Sequence, residues 1–117
     1  MTNPVIDEYG NQEWFKNDNR HREDGPAVIH ADGTQEWWLN GKRHRIDGPA
    51  YTSVNGNQLW YKNGKIHRED GPAVIFSNGS QEWWLYDIRY DFDDYVKLRF
   101  PHDCKEKTVF LLKWSDK

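Results

Sequence analysis

Gly10, Gly33, Gly56 and Gly79 stand 23 residues apart, and so do Trp14, Trp37, Trp60 and Trp83, with no insertion between them. A fixed period of this size restricts the chain to an array of supersecondary units. Each unit is too small to bury its own apolar face and is completed by its neighbours. The period says what kind of surface is built before it says what that surface does.

Turn chemistry sets the content of each unit. Asn40-Gly41 and Asn63-Gly64 are two-residue hairpin signals, because a type I′ turn needs positive φ at both central positions. Asp32-Gly33, Asn55-Gly56 and Asn78-Gly79 supply a second turn between units. The runs between turns, such as Ala27 to His30 and Gln35 to Leu39, are short and rich in aromatic or β-branched residues, so they read as strands. Asp-Gly-Pro-Ala, at Asp24, Asp47 and Asp70 onward, cannot continue a ladder because Pro has no N–H; it reads as a bend or bulge. The expected fold is mainly β, an antiparallel meander of about four hairpin repeats in a single twisted sheet.

Alternation along the strands then sorts the side chains into two faces. With Asp32-Gly33 as a two-residue loop, Val28 faces Trp37; with Asn40-Gly41 as another, Trp37 faces His44. One face repeats Gln, Trp, His and an apolar residue, and reads as structural. The other repeats Phe15, Trp38, Tyr61 and Trp84 with Ile29, Thr52 and Ile75, and with Arg22, Arg45 and Arg68. Those rings and guanidinium groups are the candidate binding residues, since aromatic and Arg side chains carry most interface energy. Glu13, Glu36 and Glu82 are placed on the same face, where they can pair the Arg residues across strands. A one-residue slip in register would exchange the faces.

Totals narrow the function classes. In 117 residues there is room for one domain and a short appendage. Seven Trp, six Tyr and five Phe mean that the core is built largely of rings. A net charge of -3, with acids and bases interspersed, supplies no field toward nucleic acid or anionic lipid, so neither is an expected partner. The lone Cys104 cannot form an internal disulfide. No signal peptide is read in Met1-Thr2-Asn3-Pro4, and no window approaches the ~20 apolar residues of a membrane helix. A cytoplasmic protein is expected.

The string Trp38-Leu39-Asn40-Gly41-Lys42-Arg43-His44 resembles the MORN repeat, a hairpin unit of similar length. The longer form, running through His-Arg-x-Asp-Gly-Pro-Ala, is similar to MORN-type variants of bacteriophages and large DNA viruses. The likeness covers about residues 10 to 90. It implies a single-layer sheet of consecutive hairpins that acts as a binding or scaffolding module, here a viral accessory protein acting on a host factor in the host cytoplasm. Lipid binding is not carried over, because the His-Arg-x-Asp-Gly-Pro-Ala step departs from the family pattern.

After Trp84 the repeat code is lost, so residues 1–90 read as the repeat array and 91–117 as a C-terminal cap. Asp91 is a plausible N-cap for a helix from about 92 to 100 that Pro101 ends, and Thr108 to Leu112 reads as a buried strand. His21, His44 and His67, each with an Asp three residues on, raise a metal site or a His-Asp catalytic pair. Equivalent positions two strands apart lie about 10 Å from one another, too far to share a zinc ion bound at about 2 Å. Each unit offers one His and no adjacent nucleophile; the His and Asp are read as partners for backbone groups around the bend. His102-Asp103-Cys104 is read as a loop. No enzyme, cofactor or metal site is expected. The leading expectation is a non-enzymatic protein-binding module and inhibitor of a host protein. Sequestration of a nucleotide or small anion, and assembly into a homodimer through the C-terminal strand, stand beside it.

Overall fold

A computed structural model describes residues 3–115. Met1 and Thr2, part of the N-terminal reading, lie outside the described residues, as do Asp116 and Lys117 of the cap segment. The chain opens with β1 (Val5–Ile6) and β2 (Gln12–Glu13), then a hairpin of β3 (Phe15–Lys16) and β4 (Asn19–Arg20). The next unit repeats this plan in β5 (Val28–Ile29), β6 (Gln35–Glu36), β7 (Trp38–Leu39) and β8 (Lys42–Arg43). The following one does so in β9 (Tyr51–Thr52), β10 (Gln58–Leu59), β11 (Tyr61–Lys62) and β12 (Lys65–Ile66). The last has β13 (Val74–Ile75), a longer β14 (Gln81–Leu85) and β15 (Ile88–Tyr90), before helices α1 (Phe92–Arg99) and α2 (Lys105–Trp114).

The expected meander is present, with an added division. One nine-stranded antiparallel sheet runs β1-β2-β5-β6-β9-β10-β13-β14-β15, and the hairpins β3-β4, β7-β8 and β11-β12 form a second row beside it. Trp14, Trp37 and Trp60 sit at the joint between the rows. Trp14 N–H donates to Ala27 O just before β5 (2.8 Å), while its own carbonyl accepts from His21 N–H just after β4 (3.0 Å). Each Trp is therefore a pivot, fixed on one side by each ladder. The molecule is elongated, 51 × 30 × 22 Å.

Both hairpin turns place residues at positive φ, as type I′ geometry requires: Asn40 at 51° and Gly41 at 81°. The same turn persists without glycine in the first hairpin, at Asn17 and Asp18, and in the fourth, at Tyr86 and Asp87. Hairpin geometry thus outlasts the sequence code that announces it.

The loop between units differs from the sequence expectation. Ile29 pairs with Gln35, and His30 N–H donates to Thr34 O (2.8 Å), so the loop holds three residues, Ala31, Asp32 and Gly33. The third lies at φ 97°, where glycine is free of strain. Asp32 closes the turn by accepting from Thr34 N–H at 2.8 Å. This one-residue slip pairs Val28 with Glu36 instead of Trp37, which moves Val28 and Trp37 to opposite faces. The pairing of Trp37 with His44 stands: His44 N–H donates to Trp37 O at 3.1 Å.

α1 matches the helix expected after Asp91, whose carboxylate accepts from Asp94 N–H at 2.8 Å. Residues 105–114 correct the expected strand: they form α2, not an extended segment. Phe110 and Trp114 fall four residues apart on one helical face, packing on the last repeat, whereas Val109 and Leu112 point to solvent. Trp83, Tyr95, Val96 and Phe110 form the buried cluster, flanked by Leu85, Tyr90, Phe92 and Phe100. Tyr95 OH donates to the carbonyls of Arg68 (2.5 Å) and Gly71 (3.3 Å), and Arg99 Nε donates to Glu69 O (2.7 Å), tying α1 to the third bend.

Candidate functional site: two ring and guanidinium systems

The His-Arg-x-Asp-Gly-Pro-Ala step builds a closed structural unit. Arg22, Arg45 and Arg68 lie over Trp14, Trp37 and Trp60, with guanidinium carbons 4.0, 3.9 and 4.0 Å from the ring centroids. In the second unit Arg45 Nε donates to Asp47 (3.1 Å) and Nη1 to Pro49 O (3.2 Å); the first and third units repeat both bonds. Gly48 is required by space: a Cβ there would stand 2.9 Å from Arg45 Cζ. The bend glycine lets the guanidinium slide between backbone and indole.

The histidines join one hairpin to the next. His21, His44 and His67 accept at Nδ1 from the N–H groups of Asn40 (2.9 Å), Asn63 (2.9 Å) and Tyr86 (3.0 Å). An accepting Nδ1 places the proton of the neutral ring on Nε2. That nitrogen faces Glu23 in the first unit (3.2 Å) and Glu69 in the third (3.1 Å), while Ile46 takes the equivalent place in the second. The His thus serves the neighbouring turn and the Asp serves the Arg, rather than both serving the bend.

The candidate residues therefore divide. Alternation places Arg22, Arg45 and Arg68 on the side of Phe15, Trp38, Tyr61 and Trp84; they lie instead on the Trp14, Trp37 and Trp60 rings, because strand alternation stops at the bend that carries them. The guanidinium groups that do share the Phe15, Trp38, Tyr61, Trp84 face come from the opposite hairpin strand. Phe15 pairs across the hairpin with Arg20, Trp38 with Arg43 and Trp84 with Arg89, while Tyr61 pairs with Ile66. The glutamates also pair these residues, not the bend arginines. Glu13 accepts from Arg20 (2.9 Å), Glu36 Oε1 from Arg43 Nε (3.0 Å) and Nη2 (2.9 Å), and Arg89 lies 3.6 Å from Glu82.

A signal for this second set is present in the repeats. Glu13 and Arg20, Glu36 and Arg43, and Glu82 and Arg89 are each seven residues apart; in the third unit both members change together, to Leu59 and Ile66. A charge pair is exchanged as a pair for two apolar residues, as expected where removing one partner would strand a half-buried charge.

Trp38 and Tyr61 centre this face. Arg43 Cζ lies 5.2 Å from the Trp38 ring, 5.4 Å from Tyr61 and 5.7 Å from Tyr51, and Arg20 lies 5.0 Å from Trp38. Glu36 anchors the cluster while only 6% exposed, and it also meets Trp38 Nε1 (3.1 Å) and His30 Nε2 (2.6 Å). Burial alone would raise its pKa, but the hydrogen bonds from His30 and Arg43, the Arg43 charge and the Trp38 N–H together hold it below the usual carboxylate range. Trp38, Tyr61 and Trp84 stay half-buried, and Phe15 is exposed.

Compared with known proteins, the chain matches no family model, and neither a curated protein nor a solved structure is significantly similar to it. Among the described residues no helix is long and apolar enough to cross a membrane. In the His102-Asp103-Cys104 run, Asp103 pairs with Lys107 at 3.1 Å and all three residues are exposed.

Proposed function

We propose that the chain is a non-enzymatic binding module that captures a protein partner through the face bearing Phe15, Trp38, Tyr61 and Trp84. Arg20, Arg43 and Arg89 supply its cations. The observation that carries this reading is the stack of Trp38, Arg43 and Tyr61, held rigid by buried Glu36 yet half open to solvent. Pre-ordered aromatic and Arg side chains lose little freedom on binding, which is why they dominate interface hot spots. The partner we propose is a host-cell protein met in the cytoplasm, in keeping with the likeness of the repeat to viral MORN-type units.

Sequestration of a nucleotide or small anion is less well supported, because the guanidinium groups of both sets are already engaged. Arg22, Arg45 and Arg68 are bonded to Asp and Pro groups, and Arg20 and Arg43 to glutamates. Assembly through a C-terminal strand loses its premise, since those residues are helical and pack on Trp83.

The test is affinity capture from host lysate, with Tyr61→Ala plus Arg89→Ala as the face variant and Ile46→Ala as a bend-side control. A protein retained by the parent and the control but lost by the face variant is expected. A correctly folded face variant that keeps the captured protein would defeat the assignment.

A further inference from the structure

Every later hairpin is held by the chain segment that precedes it, through the same three backbone groups. In the second, Trp38 O accepts from Arg22 N–H (3.1 Å), Asn40 N–H donates to His21 Nδ1 (2.9 Å) and Gly41 N–H donates to Arg20 O (2.9 Å). The third uses Tyr61 O with Arg45 N–H (3.2 Å), Asn63 N–H with His44 Nδ1 (2.9 Å) and Gly64 N–H with Arg43 O (2.8 Å). The fourth uses Trp84 O with Arg68 N–H (3.3 Å), Tyr86 N–H with His67 Nδ1 (3.0 Å) and Asp87 N–H with Ile66 O (2.9 Å). Twice the incoming segment also lays a guanidinium beside the receiving ring: Arg20 at Trp38 (5.0 Å) and Arg43 at Tyr61 (5.4 Å).

The first hairpin presents the same groups. Its turn has the same geometry, with Asn17 and Asp18 at φ 51° and 66°. Among the described residues, Phe15 O, Asn17 N–H and Asp18 N–H have no hydrogen-bond partner, and no cation lies over the Phe15 ring. Phe15 and Lys16 are exposed where their counterparts Trp38, Leu39, Tyr61 and Lys62 are half-buried.

We propose that this outer edge of the first hairpin is a strand-addition site for an extended basic segment of a partner protein, reading basic residue, His, Arg. An unpaired edge is a ready template for a further strand, and backbone bonds supply its affinity. The residue pattern is that of the first two internal junctions, Arg20-His21-Arg22 and Arg43-His44-Arg45; the third keeps the His and Arg behind Ile66. The leading carbonyl serves Asp18 N–H, the imidazole Nδ1 serves Asn17 N–H, the following N–H serves Phe15 O, and the leading cation covers Phe15. A second copy does not supply this segment. The matching stretch at the far end of the array, Arg89-Tyr90-Asp91, has no imidazole, carries an acid in place of the trailing Arg, and leads directly into α1. This site is an edge, distinct from the aromatic face, and its test does not depend on that face.

The probe is a synthetic peptide with the sequence of residues 40–48, Asn-Gly-Lys-Arg-His-Arg-Ile-Asp-Gly, titrated into isotope-labelled protein and followed by amide chemical shifts. Saturable shifts confined to the region of residues 15 to 18, with a dissociation constant on the order of 1 mM or tighter, are expected. A peptide with His44→Phe should bind about fivefold more weakly, because Asn17 N–H is then left unpaired. Changing the peptide leaves the protein's folding untouched. Absence of saturation at millimolar peptide, shifts centred elsewhere, or equal affinity of the two peptides would overturn the proposal. So would sedimentation of the protein alone as a dimer in which these amides are already protected, since a second copy would then be the occupant.

Discussion

The first three repeats and the last one cover the same tryptophan in different ways. In the first three units the pivot Trp is roofed by one guanidinium, wedged against a glycine and tied to Asp and Pro. In the fourth, Asp91 stands where that Arg would be, and Trp83 is roofed by rings: Phe92 and Tyr95 at 4.9 Å, Phe110 and Trp114 at 5.8 Å. The first roof is polar and regenerates itself every unit. The second is apolar and closes the array with the only large buried cluster among the described residues. An Arg roof can keep one side in water because its charge is satisfied at the edges; a hydrocarbon roof must be covered again, which is why a second helix follows the first.

Deleting the two roofed rings separates these regimes most sharply. Trp83→Ala should cost about 3–5 kcal/mol, because it empties the aromatic cluster. Trp37→Ala should cost about half as much, since Trp37 is only half-buried. Equal losses in urea unfolding would mean that the two roofs are energetically alike.

Alkali offers the next largest effect. Tyr95, 0% exposed, has its hydroxyl pKa pushed up to about 12, chiefly by burial, with the Arg99 charge opposing. The unfolded hydroxyl ionises near 10, so stability is complete below that pH. It should fall by about 2–3 kcal/mol as pH rises toward 12, where the folded state still holds the proton that the unfolded chain has lost. Tyr95→Phe should flatten this part of the pH profile while lowering stability at neutral pH by about 1 kcal/mol, as the carbonyls of Arg68 and Gly71 lose their donor.

A smaller effect belongs to the polar roof. Gly48→Ala should cost about 1–2 kcal/mol by lifting Arg45 off Trp37, and an Arg45→Ala background should remove most of that cost. Gly48→Ala with unchanged stability would show that the wedge is not tight. The smallest effect concerns the acid limb at Glu36. With its folded pKa lowered, its contribution is present above the unfolded value of about 4.3 and is lost as pH falls through the folded one. A Glu36→Gln variant should show a shallower decline below about pH 4, read from thermal unfolding across pH.

Much of this was legible in the sequence. The 23-residue period, the Asn-Gly turns, the bend at Pro and the helix after Asp91 all follow from local rules, and the structure has them. Three things were hidden, each for a physical reason. Asp-Gly suits both a two-residue turn and a three-residue loop that ends in a glycine at positive φ; the choice was made by the side chain of Asp32 closing on Thr34. Thr108 to Leu112 has strand composition, and only its contact with Trp83 decides for helix. The division of the arginines depends on where the strand stops, which alternation alone does not mark. For the binding face, the joint replacement of Glu and Arg by Leu59 and Ile66 was the readable clue.

Because each junction is made by the same few backbone atoms and one imidazole, the array has no preferred number of links. Splicing a whole unit in or out at the interrepeat loop would shift everything beyond it by two strand spacings, about 10 Å, and leave both roofs as they are. The molecule behaves as a ruler whose length can change by counting, without redesign of its marks.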